Sequence, residues 1–213
     1  MATVYANSSD GYVGYGNSAG WATARDASTG TTISDSGASY VLGVSAYFAR
    51  RKYSVYRSFF VFDTSSISGT VSSATFKVYG VTNSGADIIA VQATSDASSL
   101  ATGDFNAIQG WSSGDNEGNV TAYSSEITTW STSGYNDITL NSDARGHMTS
   151  NSTLYLCLLE YDHDLKDSAP SDSGPKSGLY FADTTDSSKR PYIDYTEEAV
   201  VASTDAIFFG ANF

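Results

Sequence analysis

Two strand-like runs joined by a short polar turn, within residues 57–79, constrain the fold of this chain most strongly. In the first run Phe60 and Phe62 share one face, and in the second run Phe76 and Val78 alternate with polar residues. Alternation with a period of two, in runs rich in aromatic and β-branched residues, is typical of half-buried strands. The stretch therefore predicts an antiparallel pair of strands with one face in a core.

Similar runs recur along the whole chain, separated by clusters of Gly, Asn, Asp and Ser. The candidate strands are residues 3–6, 21–25, 40–48, 54–63, 74–79, 88–93, 120–123, 126–130, 137–140, 153–161, 178–182 and 192–196. Two short segments, 99–109 and 142–148, carry helical signals. Because few helices connect the strands, we expect an all-β sandwich with one or two short helices rather than a parallel α/β sheet.

Composition excludes several classes of function. The net charge of −12 argues against binding a nucleic-acid backbone, because phosphates repel an acidic surface. The single cysteine, Cys157, excludes an intrachain disulfide framework and is expected in the core. No apolar run approaches the roughly 20 residues that span a membrane, and the first residues do not read as a signal peptide. We therefore expect synthesis in the cytoplasm without membrane contact.

The same stretch resembles the DNRLRE-type domain, a jelly-roll β-sandwich related to carbohydrate-binding modules. That family shows an Arg, a strand ending in Phe-Asp, a Ser/Ile/Gly-rich turn, an Ala-Thr-Leu-like strand, and later an Arg-Pro before the last strand. The matching positions here are Arg57, Phe62, Asp63, Ile67, Gly69, Ala74, Thr75, Phe76, Arg190 and Pro191. The resemblance implies a single jelly-roll domain over residues 1–196, of the kind found in cell-surface and phage structural proteins, and it implies no catalytic residues.

Residues 197–213 follow this predicted domain as a C-terminal extension with an apolar end. Burying each ring of this end is worth roughly 1.5–3 kcal/mol, so these side chains are not expected to stay in water. They either fold back over their own sandwich, or dock on a neighbouring subunit or pack along an edge strand, and we favour the neighbour because the predicted domain is complete at residue 196. The predicted interface residues are Ile207, Phe208, Phe209 and Phe213.

Arg50, Arg51 and Lys52 form a second candidate contact, in a chain with few basic residues. One interpretation is a solvated strand end, and the other is a contact with neighbouring subunits.

An acidic loop offers a candidate metal site at Asp162, Asp164 and Asp167. Calcium needs several oxygen ligands at short range, and one loop can supply them. The alternative is a solvated acidic loop, since the glycine and terminal glutamate of an EF-hand loop are missing. No other cofactor is expected.

Exposed aromatic rings on a β-sandwich can stack on sugars, and Trp111 and Tyr123 are the candidate glycan-binding residues. Large aromatic residues on strands are more often part of the core, and Trp111 is the better candidate because its surroundings have the composition of a loop.

Enzyme motifs are missing from the sequence: there is no nucleophile elbow, zinc-protease helix motif or phosphate-binding glycine loop. Glu117 with Glu126 or Glu160 could form a glycosidase pair, but such a pair is easy to find among 23 acidic residues. We therefore expect no enzymatic activity.

The sequence leads to two hypotheses of function. The first is a structural protein of a bacteriophage virion, a capsid decoration or cement protein or a tail or fibre subunit. It would self-associate, as a trimer, and contact other virion proteins such as the major capsid or tail protein. The second is a carbohydrate-binding module or adhesin that recognises cell-surface glycans.

Overall fold

A computed structural model describes residues 1–94, 99–171 and 173–198 of the chain. These residues form eleven strands. The strands are β1 (Ala2–Tyr5), β2 (Gly11–Ser18), β3 (Thr32–Ser34), β4 (Ser39–Ala49), β5 (Lys52–Asp63), β6 (Thr70–Asn83), β7 (Ile88–Gln92), β8 (Tyr135–Thr139), β9 (Thr153–Glu160), β10 (Lys176–Tyr180) and β11 (Tyr192–Glu198). The helices are α1 (Trp21–Arg25) and α2 (Ser142–Ser150), with 3₁₀ turns at Thr102–Asn106 and Ser187–Lys189 and a π turn at Tyr161–Leu165. Neither described helix has the length and apolar character that a membrane crossing requires.

All strand pairs are antiparallel, and they form two layers that share the long strand β6. The outer layer has the order β1-β11-β6-β8. In the inner layer β5 pairs with β2 along one edge, and with β4 and then β9 along the other. Strand β10 links β4 to the C-terminal part of β6, and β7 extends the layer beyond β9. The predicted all-β sandwich is confirmed.

The main core lies between the two layers. Phe76 on β6 packs edge-on against Phe60 on β5, with ring centroids 5.0 Å apart. Ile138 and Ile193 add to it from the outer layer, and Leu156 adds from the inner layer. The alternation that marked this stretch of sequence therefore places the apolar face of β6 in the core.

The prediction of a single core face is wrong for β5, whose two faces are both buried. Phe60 and Phe62 face the main core, while Val55 and Phe59 enter a second apolar cluster on the opposite side of the layer. That cluster is closed by Phe105 from a 3₁₀ turn, together with loop residues. The short helices and loops that cover this second face are remote in sequence, and the alternation within one strand does not reveal them. The burial of this face could therefore not be inferred from the sequence of β5 alone.

Three candidate strands are also wrong. Residues 21–25 form α1, because Arg25 is drawn into the interior and Trp21 donates its indole N–H to Asp167 at 2.8 Å. Residues 120–123 and 126–130 run alongside β7, but their pairing with it is irregular, with bridges at Ala122 and Ile127 and isolated backbone hydrogen bonds, so they do not form regular strands. Here tertiary contacts outweigh the local β propensity.

Strand β2 was not predicted from the sequence, because it is rich in glycine, which is uncommon in strands. Gly14 lies flat against the ring of Tyr56 on β5, and a Cβ there would come within 2.3 Å of that ring. A close approach of this kind is a normal use of glycine inside a strand.

The two predicted helical segments are confirmed in part. Residues 142–148 lie in α2, whose start is capped by the Asn141 side chain accepting from the N–H groups of Asp143 and Ala144. Of residues 99–109, only Thr102–Asn106 is helical, as a 3₁₀ turn.

The β4–β5 hairpin turns at Arg50 and Arg51, which both have positive φ angles, 53° and 63°. Two consecutive left-handed residues are what a tight two-residue hairpin needs, and Asn-Gly is the usual choice because other side chains are strained there. Both arginines and the following Lys52 are exposed. We call these three residues the basic tip.

Relief of this strain gives a testable result. Replacing Arg51 with glycine is expected to raise the free energy of unfolding by about 1 kcal/mol, because glycine adopts a left-handed conformation without a clash. Urea denaturation measures the change. Arg145→Gly is a comparison of opposite sign, since it places glycine inside α2 and removes the hydrogen bond from Arg145 to the Leu140 carbonyl oxygen, and it should lower stability by at least about 1 kcal/mol. Equal effects of the two substitutions would contradict the argument from strain.

Candidate functional site

The most concentrated group of charges in the described residues lies inside the protein, around Arg57 on β5. Arg57 is completely buried and makes four hydrogen bonds. Two reach the carboxylate oxygens of Asp164 at 2.8 and 2.7 Å, and two reach the carbonyl oxygens of Phe105 and Arg25 at 2.7 and 3.0 Å. Because Asp164 is buried as well, the pair is a bidentate ion pair isolated from water.

Arg25 is the second buried cation of this group. It donates to the carbonyl oxygens of Asp164 and Leu165 at 2.9 and 3.2 Å and pairs with the Asp26 carboxylate at 2.6 Å. The Trp111 ring lies against both guanidinium groups, 4.3 Å from that of Arg25 and 4.0 Å from that of Arg57. We call Arg25, Arg57, Trp111 and Asp164 the arginine clasp.

The arginine clasp has a structural role. Its carboxylate and most of its guanidinium N–H groups bond within the protein, so they are not free to act on a substrate. It joins α1, β5, two helical turns and the Trp111 loop, which are distant in sequence. Trp111, the predicted glycan platform, is partly exposed and stacks on the two arginines, so its role in glycan binding stays a prediction.

The structure also separates the predicted metal ligands. Asp164 points inward to Arg57, and Asp167 accepts the indole N–H of Trp21 at 2.8 Å. Asp162 stays exposed on the surface, where Lys166 lies 3.5 Å from it. A π turn directs successive side chains to different sides, which spacing along the sequence did not reveal. The three carboxylates therefore do not form the calcium site that the loop predicted.

Asp162 instead belongs to a different acidic group, with Asp87 and Glu126. One carboxylate oxygen from each lies within 4.8 Å of the others. Burial and the neighbouring carboxylates raise the pKa of Asp87 and of Glu126. These are the described residues with the geometry to hold a hard cation such as Ca²⁺. Lys166 already offsets part of their charge.

The side chain of Glu160 caps the start of the π turn. Its carboxyl group is 1 % exposed and accepts the N–H groups of Asp162, His163 and Asp164. Burial raises the pKa of Glu160 to about 8, although these three hydrogen bonds oppose the shift. Of the other carboxyl groups named as nominal glycosidase candidates, Glu117 accepts a hydrogen bond from the Tyr161 hydroxyl at 2.8 Å.

The raised pKa of Glu160 predicts a pH dependence of stability. The folded protein keeps the proton between pH 4.5 and about 8, where the unfolded chain has lost it. The contribution of Glu160 to the free energy of unfolding should therefore be greatest below that window and fall as the pH rises through it. Glu160→Gln should flatten the slope of urea midpoint against pH, whereas Glu198→Gln, at an exposed position, should preserve it. An unchanged slope in Glu160→Gln would refute the assignment.

Tyr123, the second predicted glycan residue, is 1 % exposed. Its hydroxyl group bonds to His147 Nδ1 at 2.7 Å, and its ring belongs to the main core. The prediction for Tyr123 is therefore wrong for the reason weighed against it, namely that a large aromatic residue is usually buried. Cys157 is buried as predicted, and burial raises the pKa of its thiol.

An aromatic surface that the sequence interpretation missed lies on the outer face of the outer layer. It consists of Tyr5, Tyr79, Tyr135, Tyr180 and Tyr192, which we call the tyrosine face. Successive ring centroids in the order 5-192-135-79-180 lie 5.5, 5.1, 5.4 and 5.7 Å apart. Tyr5 is 58 % exposed, and the other four are partly exposed.

Strand register holds these tyrosines together. Tyr5 lies opposite Tyr192, and Tyr79 lies opposite Tyr135, so each pair shares the side of the sheet that faces away from the core. Lys189 lies over the rings of Tyr180 and Tyr79, at 5.0 and 5.6 Å. The Tyr135 hydroxyl donates to the carbonyl oxygens of Ser188 and Arg190, and burial raises its pKa to about 12.

The tyrosine face has the composition of a contact surface. Its rings offer apolar area with polar tips, in rigid positions, which is the usual character of a contact surface. The sequence contained a partial signal for this surface, since these tyrosines occupy the polar side of the alternation along their strands. They form one surface only when five strands are aligned, and the sequence of a single strand does not show that alignment.

The predicted interface residues fall in two places. The basic tip projects from the end of the β4–β5 hairpin. Ile207, Phe208, Phe209 and Phe213 lie outside the described residues, so their role stays a prediction, as does the domain boundary at residue 196. Strand β11 runs to Glu198.

Comparison with known proteins finds no family model that matches this chain and no match among curated proteins.

Proposed function

We propose that this protein is a non-enzymatic structural subunit of a bacteriophage virion, which acts through contacts with other proteins. The observation that carries this proposal is the tyrosine face. The phage association comes from the resemblance of the sequence to the DNRLRE-type domain, and the all-β sandwich agrees with that resemblance.

Tyrosine is favoured at protein interfaces because its ring buries a large area at a low cost in conformational entropy, while its hydroxyl bonds at the rim. The five tyrosines already pack against one another, so little side-chain freedom remains to be lost on binding. A neighbouring virion protein with a complementary apolar surface would bury them together.

The basic tip supports a contact role as well. Arg50 and Arg51 keep a strained backbone at an exposed position where Asn-Gly would relieve it. Strain that is retained at an exposed site is a reason to look for function there. Since the whole chain carries a net charge of −12, another copy of it is a suitable acidic partner for the tip, and this agrees with the proposed self-association as a trimer.

The proposal is tested on phage particles from the source strain. Particles are purified on a density gradient, and their proteins are identified and quantified by peptide mass spectrometry. We expect this protein in a fixed ratio to the major capsid or tail protein, even after a high-salt wash. Its presence only in the soluble fraction of the lysate would refute the proposal.

A second candidate function, glycan binding, is favoured by the same surface, because a row of exposed rings can stack on a sugar chain. On a glycan array, specific binding should then disappear in the double variant Tyr79→Ala/Tyr180→Ala. Tyr47→Ala is the matched control, since Tyr47 is a partly exposed tyrosine on β4, in the inner layer. Signals that are equal in both variants, or absent in the wild type, would exclude this candidate.

A further inference from the structure

Among the described residues, one edge of strand β8 has no strand paired with it. Leu140 N–H donates to Ala74 at 3.0 Å and Gly80 N–H donates to Gly134 at 3.3 Å, which fixes the phase of the ladder between β8 and β6. In an antiparallel ladder every second residue bonds to a given neighbour. The even-numbered residues of β8 therefore bond to β6, and the backbone groups of Tyr135, Asp137 and Thr139 point away. Among the described strands, β6 is the only one that pairs with β8.

A groove runs beside this edge. Two adjoining clefts of about 520 Å³ each share Ile127, Thr129 and Asp137 as lining residues. On the far side of the groove, the segment of residues 124–131 is attached to β7 of the inner layer by the bridge at Ile127. Trp130 and Leu140 also line it. The groove therefore lies where the two layers of the sandwich open toward solvent.

The carboxylate of Asp137, on β8, points away from the unpaired edge. A charged side chain on an edge strand often discourages pairing with another strand. Here the Asp137 carboxylate forms an ion pair with Lys77 of β6 at 2.7 Å, so it lies over the sheet. The backbone of β8 stays open to an added strand.

We propose that residues 206–213 of the same chain add a strand to the unpaired edge of β8. These residues contain Ile207, Phe208 and Phe209, an alternating apolar run that matches strand addition, in which the backbone supplies affinity and alternate side chains enter a groove. The assignment goes beyond the proposed function, since it concerns how the fold is completed.

The path of the chain permits this pairing. Strand β11 ends at Glu198, opposite Thr70 of β6, and β8 ends at Thr139, opposite Thr75. The added strand would lie one spacing beyond β8, so five residues along β6 and three strand spacings separate Glu198 from its start by about 22 Å. Seven extended residues span about 23 Å, so residues 199–205 can bridge the gap. The chain then runs back antiparallel to β8.

The added strand places its side chains on both faces of the sheet. In this arrangement Ile207 and Phe209 would share one face and enter the groove beside Ile127 and Trp130. Phe208 would lie on the opposite face, the side of the sheet that carries the tyrosine face.

Hydrogen exchange measured by NMR on the full chain tests the proposal. The amides of Asp137 and Thr139 should exchange at least about tenfold more slowly than unpaired amides, since they have a partner only when a strand is added. The amides of Asn136 and Ile138, which bond to β6, are internal controls. Phe208→Pro should abolish the protection at Asp137 and Thr139 and leave it intact at the controls, whereas Ala202→Pro, in the connecting segment, should preserve both.

Rapid exchange at Asp137 and Thr139 in the wild-type chain would refute the proposal, as would protection that survives Phe208→Pro. Dilution by about a hundredfold separates the two possible sources of the strand. Protection that is independent of concentration supports the same chain as the source, and loss of protection on dilution would contradict that assignment in favour of a neighbouring copy.

Discussion

Replacing Asp164 with asparagine is expected to lower the free energy of unfolding by about 3–5 kcal/mol. The substitution removes the negative charge that faces the completely buried guanidinium of Arg57, and it leaves that cation without neutralisation in a site closed to water. The amide also turns two N–H donors toward a group that only donates. Urea denaturation followed by tryptophan fluorescence reports the loss, and Trp111 in the arginine clasp provides a local probe.

A double-mutant cycle separates the ion pair from other effects of the substitution. Arg57→Met and Asp164→Leu are each expected to be strongly destabilising, while the double variant should cost much less than their sum, because it leaves no unpaired buried charge. Part of the cost should remain, since the carbonyl oxygens of Phe105 and Arg25 lose their donors. Additivity of the two single changes would contradict the interpretation of the arginine clasp as one unit.

Replacing Phe76 with alanine should cost a similar amount, about 3–5 kcal/mol. Its ring is fully buried between the two layers and contacts Phe60 and Phe62, with centroid distances of 5.0 and 5.5 Å. Removing it opens a cavity that strands fixed by hydrogen bonds on both sides cannot close. The change is measured by urea or thermal denaturation.

Tyr79→Ala is the matched control, because Tyr79 lies on the same strand but on the opposite face. It belongs to the tyrosine face and is partly exposed, so its removal should cost only about 1 kcal/mol from lost ring contacts. A large loss in Tyr79→Ala with a small one in Phe76→Ala would mean that the two faces of β6 are assigned the wrong way round.

Alternation along the sequence was sufficient to predict the all-β class and the inward face of β6, because one residue in two is apolar there. It was insufficient where burial depends on distant segments. β5 is covered on its second face by Phe105 and other residues remote in sequence, and α1 replaces a predicted strand because Arg25 must reach Asp164 and Leu165.

The candidate site was harder to predict than the fold. Trp111 was chosen for the loop composition around it, which did not reveal its stacking on two arginines, and Tyr123 was chosen as an aromatic residue but lies in the core. The tyrosine face depends on the pairing of five strands, which no local pattern contains. For Asp162, Asp164 and Asp167, the spacing along the loop was visible, and the direction of each side chain on the π turn was not.

Retention on particles tests the central claim, that the protein acts through its tyrosine face, most directly. Purified protein is mixed with particles that lack it, and the fraction that sediments with them is measured for Tyr79→Ser/Tyr180→Ser and for the control Tyr47→Ser, after both are shown to be folded. We expect the double variant to lose at least about tenfold in affinity, as truncation of interface tyrosines does, and the control to bind like the wild type. Equal retention of the two variants would contradict the account.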